Sequence, residues 1–401
     1  MRVAQLKRRY LPRTETFVHM QVCALRRFEP SVLVRQTENL ERFPGPMPVA
    51  FVDYGRGFKG RWADLSYRAA RTMSVYERRF FEHALQSLHP QLLHAHFAVD
   101  AAYFLPVKRC FDLPLVVSCY GYDVSSFPNR YFGLGRHYLE PVWRQADLVL
   151  AMSRDMERDL LRLGCPAEKI RVHYYGVDLA RFPFVERPVE GSADRRPLRV
   201  TFVGSLGAER KGVDDLLRGF ALAAGQYPDV ELRIVGDGCF QSRYEHLSST
   251  LRIADRVSFS GFVAHERVHE ELARTDIFAH PSVTTSEYDK EGIPGTIVEA
   301  MATGLPIVTT RHAGIPEVVT DGEHGFVVAE HDIDAIARAL VTLARDPSRR
   351  VKLGTQAAAR ARELADVVRQ TAALEAIYDE LIAAGHSSSD RNQHIRGIAS
   401  V

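Results

Sequence analysis

Two glutamates separated by seven residues flank the start of a helix within residues 291–306. Glu291 lies in a Gly-Ile-Pro-Gly loop, and Glu299 follows in the helix that this loop opens. Pro294 suits the first turn of a helix, and the Gly-Leu-Pro sequence at 304–306 suits its C-terminal end, so the pattern predicts a helix over 295–303. The first amides of a helix lack internal acceptors and carry partial positive charge, which favours an anion. A sugar phosphate would fit, with both carboxylates accepting hydrogen bonds from its hydroxyls.

A glycine-rich loop also follows the strand predicted at 198–203. It spans residues 204–212, Gly-Ser-Leu-Gly-Ala-Glu-Arg-Lys-Gly, and leads into a helix starting near Val213. Lys211 is one of only seven lysines in the chain, and an ammonium on a flexible stem suits a phosphate oxygen. A solvated loop charge explains the same residue equally well, so this loop alone does not decide its role.

Two further glycines, Gly236 and Gly238, close the strand predicted at 230–235. They could form half of a dinucleotide-binding fingerprint, but Gln241 stands where its third glycine is required. The pattern therefore favours tight turns that let a loop approach a base or a ribose.

Polar side chains also mark two strands of the first half. His94 and His96 share a face of the strand predicted at 92–97, and no third metal ligand lies nearby. We expect one of them at the edge of a ligand cleft and the other in the packing, rather than a metal site. Asp123, in the Tyr-Gly-Tyr-Asp sequence of 120–123, offers an acceptor for sugar hydroxyls; a capping aspartate is the structural alternative.

A basic cluster lies near the N-terminus, beside the Leu-Pro-Arg-Thr-Glu-Thr-Phe sequence of 11–17 that opens a helix. One interpretation is a solvated basic face on a capped helix. The other is contact with an anionic membrane surface or a lipid-linked phosphate acceptor. The cluster consists of Lys7, Arg8, Arg9 and Arg13.

Composition limits the function classes. With 52 basic and 50 acidic residues, the chain is too nearly balanced to be built mainly around nucleic-acid phosphates. The first residues lack the apolar core of a secretory signal, and no apolar run is long enough for a membrane span, so a cytoplasmic protein is expected. Five scattered cysteines without a C-x-x-C pair argue against a disulfide framework and a zinc site.

The order of predicted elements gives the fold class. Short apolar runs alternate with helical patterns along the whole chain, which predicts an α/β protein with two doubly wound parallel sheets. Residues 186–197 have no apolar period and form the expected linker. The predicted organisation is an N-terminal domain at 1–185, a linker at 186–197, a C-terminal domain at 198–361, a long helix at 362–385 and a disordered tail at 386–401. Ligands are expected in a cleft at the carboxyl ends of the strands.

Taken together, these motifs resemble the retaining GT-B glycosyltransferases of family 4, also called group 1, especially the exopolysaccharide and colanic-acid type. The resemblance runs almost end to end. Its most specific parts are the two spaced glutamates, Glu-Arg-Lys-Gly at 209–212, His-Pro-Ser at 280–282, Ala-Met-Ala-Thr-Gly-Leu-Pro at 300–306, Gly-Ile-Pro-Glu at 314–317 and Asp-Gly-Glu-His-Gly at 321–325. In the first half it includes Thr-Glu-Thr-Phe at 14–17 and Tyr-Tyr-Gly-Val-Asp at 174–178.

The resemblance implies two Rossmann-like domains and a nucleotide-diphosphate sugar donor held mainly by the second, with the last helix crossing back to the first. It implies Lys211 and loop amides on the diphosphate, Glu299 on the ribose and Glu291 on the sugar. No Asp-x-Asp pair lies at a predicted cleft-facing strand end, so neither a metal nor another cofactor is expected. The implied catalytic residues are Lys211, Glu291 and His96. The implied donor-binding residues are Gly204, Ser205, Arg210, Lys211, Gly236, Val263, Gly292, Pro294, Gly295, Thr296, Ile297 and Glu299. The implied acceptor-binding residues are Glu15, Thr16, Tyr120, Gly121 and Asp123.

Two positions depart from the family pattern. Ser205 stands where many relatives have an arginine that shares the diphosphate charge, so Lys211 is expected to be unusually important. Tyr120 stands where relatives often have a histidine that touches the transferred sugar, and His96 is the residue that would partly replace it. Two alternatives to a transferase of exopolysaccharide synthesis stay open. The same two-domain plan also suits a nucleotide-sugar epimerase or a sugar phosphorylase, and the departures at Ser205 and Tyr120 leave open a non-catalytic nucleotide-sugar-binding subunit.

Overall fold

The computed structural model describes residues 1–12, 15–43, 45, 47–52, 67, 72–187 and 196–398, with side chains as far as 385. The chain forms two compact units. The first comprises Met1–Gly176 and Val367–Val401, and the second comprises Val177–Asp366. The segment 177–185, assigned to the first domain from the sequence, thus belongs to the second unit.

The first unit is built on a parallel sheet whose strands run in the order β3-β2-β1-β4-β5-β6-β7. Its central strands are buried along their whole length, because helices cover both faces of such a sheet. The strands are β1 Arg2–Tyr10, β2 Glu29–Thr37, β3 Val49–Phe51, β4 Leu92–His96, β5 Leu115–Cys119, β6 Leu148–Ala151 and β7 Ile170–Val172. The helices are α1 Thr16–Cys23, α2 Val75–Leu88, α3 Ala98–Lys108, α4 Leu134–Gln145 and α5 Arg154–Arg162.

The second unit repeats this plan with a parallel sheet in the order β10-β9-β8-β11-β12-β13. The strands are β8 Leu198–Val203, β9 Val230–Val235, β10 Val257–Phe259, β11 Ile277–His280, β12 Ile307–Thr310 and β13 Gly325–Val328. The helices are α6 Val213–Gln226, α7 Gln241–Thr250, α8 Val268–Ala273, α9 Gly295–Ala302, α10 Ile315–Val318, α11 Ile333–Arg345 and α12 Pro347–Ala365. Strand order reverses between β8 and β11, the position at which such sheets bind ligands.

The C-terminal helix α13, Val367–Ile398, belongs to the first unit although it follows the second in sequence. Leu374, Ile377 and Tyr378 pack against Val3 and Val116 of the first sheet. The return of the last helix, implied by the family resemblance, is therefore observed. The long helix expected at 362–385 is divided, because Asp366 is extended at the C-terminal end of α12 (φ −67°, ψ 124°). The tail predicted to be disordered at 386–401 differs from the structure, because its backbone continues α13 as far as Ile398; residues 399–401 lie outside the described residues.

The predicted linker falls mostly outside the described residues, which resume at Arg196. Its start is anchored within the second unit. The Arg187 guanidinium donates to the carbonyl oxygens of Thr275 (3.0 Å), Leu272 (3.0 Å) and Thr303 (2.6 Å). These bonds attach residues 186–187 to the C-terminal ends of α8 and α9.

Candidate active site

Two loops identified from the sequence meet in the second unit: the acidic loop that carries Glu291 and the glycine-rich loop that carries Lys211. They follow β8 and β11, which are neighbours in the sheet. Lys211 lies in a one-turn helix, Glu209–Lys211, and the Nζ of Lys211 lies 2.5 Å from Oε2 of Glu291. The other carboxylate oxygen accepts a hydrogen bond from Ser282 Oγ (3.0 Å). Both side chains are largely buried, so this is an internal ion pair rather than a solvated loop charge.

The environment keeps Glu291 ionised. Burial alone would raise the pKa of its carboxyl, but the Lys211 ammonium and His280, whose Nε2 lies 3.5 Å away, hold that pKa well below its usual range. Burial lowers the pKa of the His280 imidazole, which is therefore neutral near pH 7. Glu291 is consequently an acceptor of hydrogen bonds and not a proton donor.

A buried histidine that the sequence analysis missed holds the backbone of the acidic loop. The Glu291 N–H donates to Nε2 of His312 (3.1 Å), and the opposite ring nitrogen, Nδ1, lies 2.7 Å from Oε1 of Glu330. Oε2 of Glu330 accepts from the Thr284 N–H (2.7 Å), so one carboxylate supports both ends of the loop. His312 and Glu330 each lie two positions after the end of a strand, β12 and β13, and that position was the available sequence signal.

Helix α9 begins four positions after Glu291, and Pro294 is its extended N-terminal cap. Thr296 Oγ1, in its first turn, lies 3.4 Å from Nδ1 of His280, whose Nε2 faces Glu291. The Ile297 N–H turns back to the Pro294 carbonyl (3.1 Å), so the open amides of the first turn are those of Gly295 and Thr296. Gly292 and Pro294 are buried, whereas Gly295 and Thr296 are half-buried. The helix start therefore offers two amides and a partial positive charge beside Lys211 and Glu291.

Glu299, one turn into α9, is paired with a histidine. Its Oε1 lies 2.8 Å from Nε2 of His265, and its Oε2 has no hydrogen-bond partner among the described residues. Burial disfavours the imidazolium, but the hydrogen bond and the charge of Glu299 outweigh it, so the pKa of His265 is raised. The ring of Phe182 packs against His265 at 5.8 Å between centroids. Glu299 thus has one oxygen fixed by His265 and one buried oxygen without a partner among the described residues.

The remaining predicted donor residues line the same edge of the second sheet. The Arg210 guanidinium, expected to share the diphosphate charge, pairs with Asp289 (2.6 Å). Ser205 Oγ accepts from the Gly207 N–H within its own loop (3.2 Å). Gly236 has φ 141°, and a Cβ on it would lie 1.9 Å from the Gly204 carbonyl oxygen. These glycines let the loops after β8 and β9 touch. Half-buried Val263 follows β10.

Both strand histidines of the first unit are interior groups. His96 lies 2.8 Å from the Tyr120 hydroxyl through Nδ1 and 2.8 Å from Gln5 Oε1 through Nε2. His94 binds the Tyr378 hydroxyl (2.6 Å) and Ser118 Oγ (2.8 Å) in the same way. Burial lowers the pKa of His96 well below its usual value, so the ring is neutral. His96 is the residue expected to replace the histidine that relatives have at the position of Tyr120. It does contact Tyr120, but both ring nitrogens of His96 already have hydrogen-bond partners.

Asp123 is a capping residue in this structure. Its fully buried carboxylate accepts from the Ala98 N–H (2.8 Å) at the start of α3, and from the amides of Tyr120 and Gly121 (both 3.1 Å). Gly121 has φ 135°, which explains the glycine in this turn. The observed hydrogen bonds of Asp123 therefore match a capping aspartate, which was the structural alternative to an acceptor for sugar hydroxyls.

The described members of the N-terminal basic cluster are paired with carboxylates. Lys7 is 4% exposed and pairs with Glu15 (2.6 Å) and Asp100 (3.2 Å). Arg8 also pairs with Asp100, and Arg9 pairs with Glu38. Arg13 lies outside the described residues. Glu15 precedes α1, which begins at Thr16, and its carboxylate is used by Lys7.

No group of histidine, cysteine, aspartate and glutamate side chains among the described residues is arranged to hold a metal ion. In the same part of the chain, no helix has both the length and the apolar character required to cross a bilayer.

Comparison with known proteins agrees with the two-unit architecture. Residues 14–181 match the model of "Glycosyltransferase Family 4", and residues 186–360 match that of "Glycosyl transferases group 1". The HepE protein of Anabaena, solved in complex with UDP, aligns with a TM-score of 0.76 at 21% identity, over 95% of this chain and 100% of that chain.

Two curated relatives are more similar in sequence. A putative colanic acid biosynthesis glycosyltransferase of Escherichia coli K12, WcaL, is 35% identical over 56% of this chain and 54% of that protein. The amylovoran biosynthesis glycosyltransferase AmsK of Erwinia amylovora is 33% identical over 52% of each. The chain thus spans about half the length of these relatives. The two family models account for most of both units, and the chain belongs to the GT-B glycosyltransferases of family 4, or group 1.

Proposed function

We propose that this protein transfers a sugar from a nucleotide-diphosphate sugar to a hydroxyl of a saccharide acceptor, with retention of the anomeric configuration. The observation that carries the proposal is the Lys211–Glu291 ion pair beside the open amides of α9. A cation and two amides suit a diphosphate, while an ionised carboxylate suits the hydroxyls of a sugar.

The proposed chemistry follows from these charges. When the bond from the anomeric carbon to the diphosphate breaks, negative charge grows on the leaving phosphate. Lys211 and the amides of Gly295 and Thr296 are fixed donors for that charge, an effect worth several kcal/mol in comparable sites. The leaving phosphate accepts the acceptor's proton and the new bond forms on the same face, which retains the configuration. Glu291 orients the sugar, and Glu299 binds the ribose through Oε2, the oxygen that has no partner among the described residues.

The biological setting is proposed from the relatives. One curated relative is named for colanic acid biosynthesis and the other for amylovoran biosynthesis, and HepE was solved with UDP bound. The proposed partners are therefore a nucleotide-sugar donor and a saccharide or lipid-linked saccharide acceptor, the latter bound by the first unit. We propose a reaction without a metal ion, taking place in the cytoplasm at the membrane.

Thermal shift with UDP-, GDP- and dTDP-sugars tests donor binding, because a ligand at a hundred times its Kd adds about 2.7 kcal/mol of stability. Transfer to an oligosaccharide panel, followed by determination of the anomeric configuration, tests the reaction. Inversion would contradict retention, and activity lost in chelator and restored by a divalent cation would contradict the metal-free reaction. Epimerised donor, phosphate-dependent cleavage, or tight donor binding without transfer would instead favour the alternatives.

A further inference from the structure

An exposed apolar turn projects from the first unit between β5 and β6. It consists of residues 131–134, Tyr-Phe-Gly-Leu, immediately before and at the start of α4. Phe132 is 107% exposed, Leu134 62% and Tyr131 47%. We call Tyr131, Phe132 and Leu134 the apolar tip. Single exposed apolar residues are ordinary, but three within four residues form a local feature that calls for an explanation.

The backbone of this turn is built to display the tip. Tyr131 (φ 58°), Phe132 (φ 57°) and Gly133 (φ 85°) are consecutive left-handed residues, a conformation that costs free energy for tyrosine and phenylalanine. The base of the turn is closely packed, because a Cβ on Gly135 would lie 2.0 Å from the Phe127 carbonyl oxygen. The Gly135 N–H also donates to the Arg130 carbonyl (3.2 Å). The unfavourable conformation is therefore held by the fold around it.

Two arginines flank the tip without carboxylate partners. Arg130 and Arg136 are exposed, and neither forms an ion pair with a carboxylate in the described parts of the chain. Arg130 lies over the Tyr122 ring at 5.1 Å, and Arg136 donates to the Arg162 carbonyl (3.0 Å). The nearby Glu140 faces Arg144 (3.4 Å) instead. The apolar tip is thus bordered by two positive charges that no carboxylate of the described residues pairs with.

We propose that the apolar tip and its two flanking arginines dock on the surface of an anionic lipid bilayer. Aromatic and leucine side chains at the interface, with arginines at the headgroups, are the chemistry of interfacial anchors. A second protein copy is a poorer occupant, since three side chains fall far short of the roughly 1,200 Å² that a stable interface buries. The basic cluster at Lys7–Arg9 does not provide this surface, because its charges are paired internally.

Co-sedimentation of the full 401-residue chain with vesicles tests the proposal. The probe is a vesicle of phosphatidylcholine with or without about one third phosphatidylglycerol. We expect binding only to the anionic vesicles and weaker binding at high salt. The partition coefficient should fall roughly tenfold in Phe132→Ser, and about fivefold for each arginine changed in an Arg130→Gln, Arg136→Gln variant.

Matched controls lie in the second unit. Leu222→Ser removes a side chain that is 45% exposed, and Arg274→Gln with Arg338→Gln removes two exposed charges. Thermal unfolding checks that each variant folds, and the donor thermal shift reports on the proposed catalytic site independently. Absent binding to anionic vesicles at low salt, or equal loss in tip and control variants, would overturn the proposal. So would a dimer in light scattering that Phe132→Ser converts to a monomer.

Discussion

The backbone N–H of Glu291 donates to Nε2 of His312 over 3.1 Å. Because Nε2 is the acceptor, the ring proton must lie on Nδ1, which faces the Glu330 carboxylate at 2.7 Å. The fully buried imidazole is thereby fixed in one neutral tautomer between two loops of the second unit. His312 and Glu330 are positioning residues for the carboxylate that is proposed to orient the sugar.

Removing this imidazole should loosen the acidic loop. His312→Leu leaves the Glu291 amide and the Glu330 carboxylate without their partner, at a cost of about 1–3 kcal/mol in the free energy of unfolding. We expect kcat for sugar transfer to fall at least roughly tenfold, since misplacement of a positioning group acts on the chemical step. Glu330→Gln retains an oxygen that can accept a hydrogen bond from Nδ1 of His312, so its kcat should fall much less. Unchanged kcat in folded His312→Leu would refute the positioning role.

Lys211 supplies the only ammonium paired with Glu291 in the described structure. Lys211→Ala should reduce the transfer rate by about 10²–10³, as removal of one preorganised charge does in comparable sites. The matched control is Lys352→Ala, an exposed lysine on α12 of the same unit. Circular dichroism should confirm that both variants fold. Near-normal turnover of Lys211→Ala would eliminate its assignment to the leaving phosphate.

Gly212 ends the turn that carries Lys211 and has φ 66°. A Cβ there would lie 1.8 Å from the Pro281 carbonyl oxygen, so Gly212→Ala must displace one of the two loops. We expect a loss of several kcal/mol in stability, together with loss of donor binding. The control is Gly225→Ala on α6, where nothing lies within 4 Å and alanine should stabilise the helix by up to about 1 kcal/mol. Equal melting temperatures for the two variants would contradict this account.

The His265–Glu299 pair should make stability depend on pH in a definite direction. The pKa of His265 is raised in the folded state, so its contribution is fully present below its usual pKa of 6.5 and is lost as pH rises through the folded value. The difference in unfolding free energy between the wild type and His265→Asn should therefore shrink from pH 6 to pH 9 in urea titrations. The exposed His246→Asn provides the control. A difference that grows with pH would show the opposite linkage.

The buried histidines of the first unit should make stability depend on pH in the opposite direction, with stability falling as the pH falls. Burial lowers the pKa of His94 to about 3 and that of His173 to about 4. The unfolded chain takes up these protons near pH 6.5, so stability should fall between about pH 6.5 and pH 4. Each group contributes up to about 1.4 kcal/mol per pH unit. His94→Gln should flatten the measured dependence by about that slope. An unchanged slope would indicate that His94 is protonated in the folded protein.

The sequence located the central parallel strands such as β4, β8 and β9, because a strand covered on both faces must be an apolar run bounded by turn residues. The short strands β3, β7 and β13 were not predicted. Helix α9 was also placed within one residue, since its proline and glycine signals are local. The division near Asp366 was missed because the apolar period of the last helix continues across it. The interior setting of Lys7 was missed as well, since the partners Glu15 and Asp100 approach it only after β1 and α3 have packed.

By itself, the sequence determined the fold class, the two repeated sheets and the loops that carry charged residues. The tertiary structure decided which of those residues meet. Lys211 and Glu291 are eighty positions apart, and they become an ion pair because β8 and β11 are neighbours at the point where strand order reverses. His312 entered the site for the same reason, from the next strand. Local patterns encode elements, whereas pairing between distant side chains depends on sheet order, which no single segment specifies.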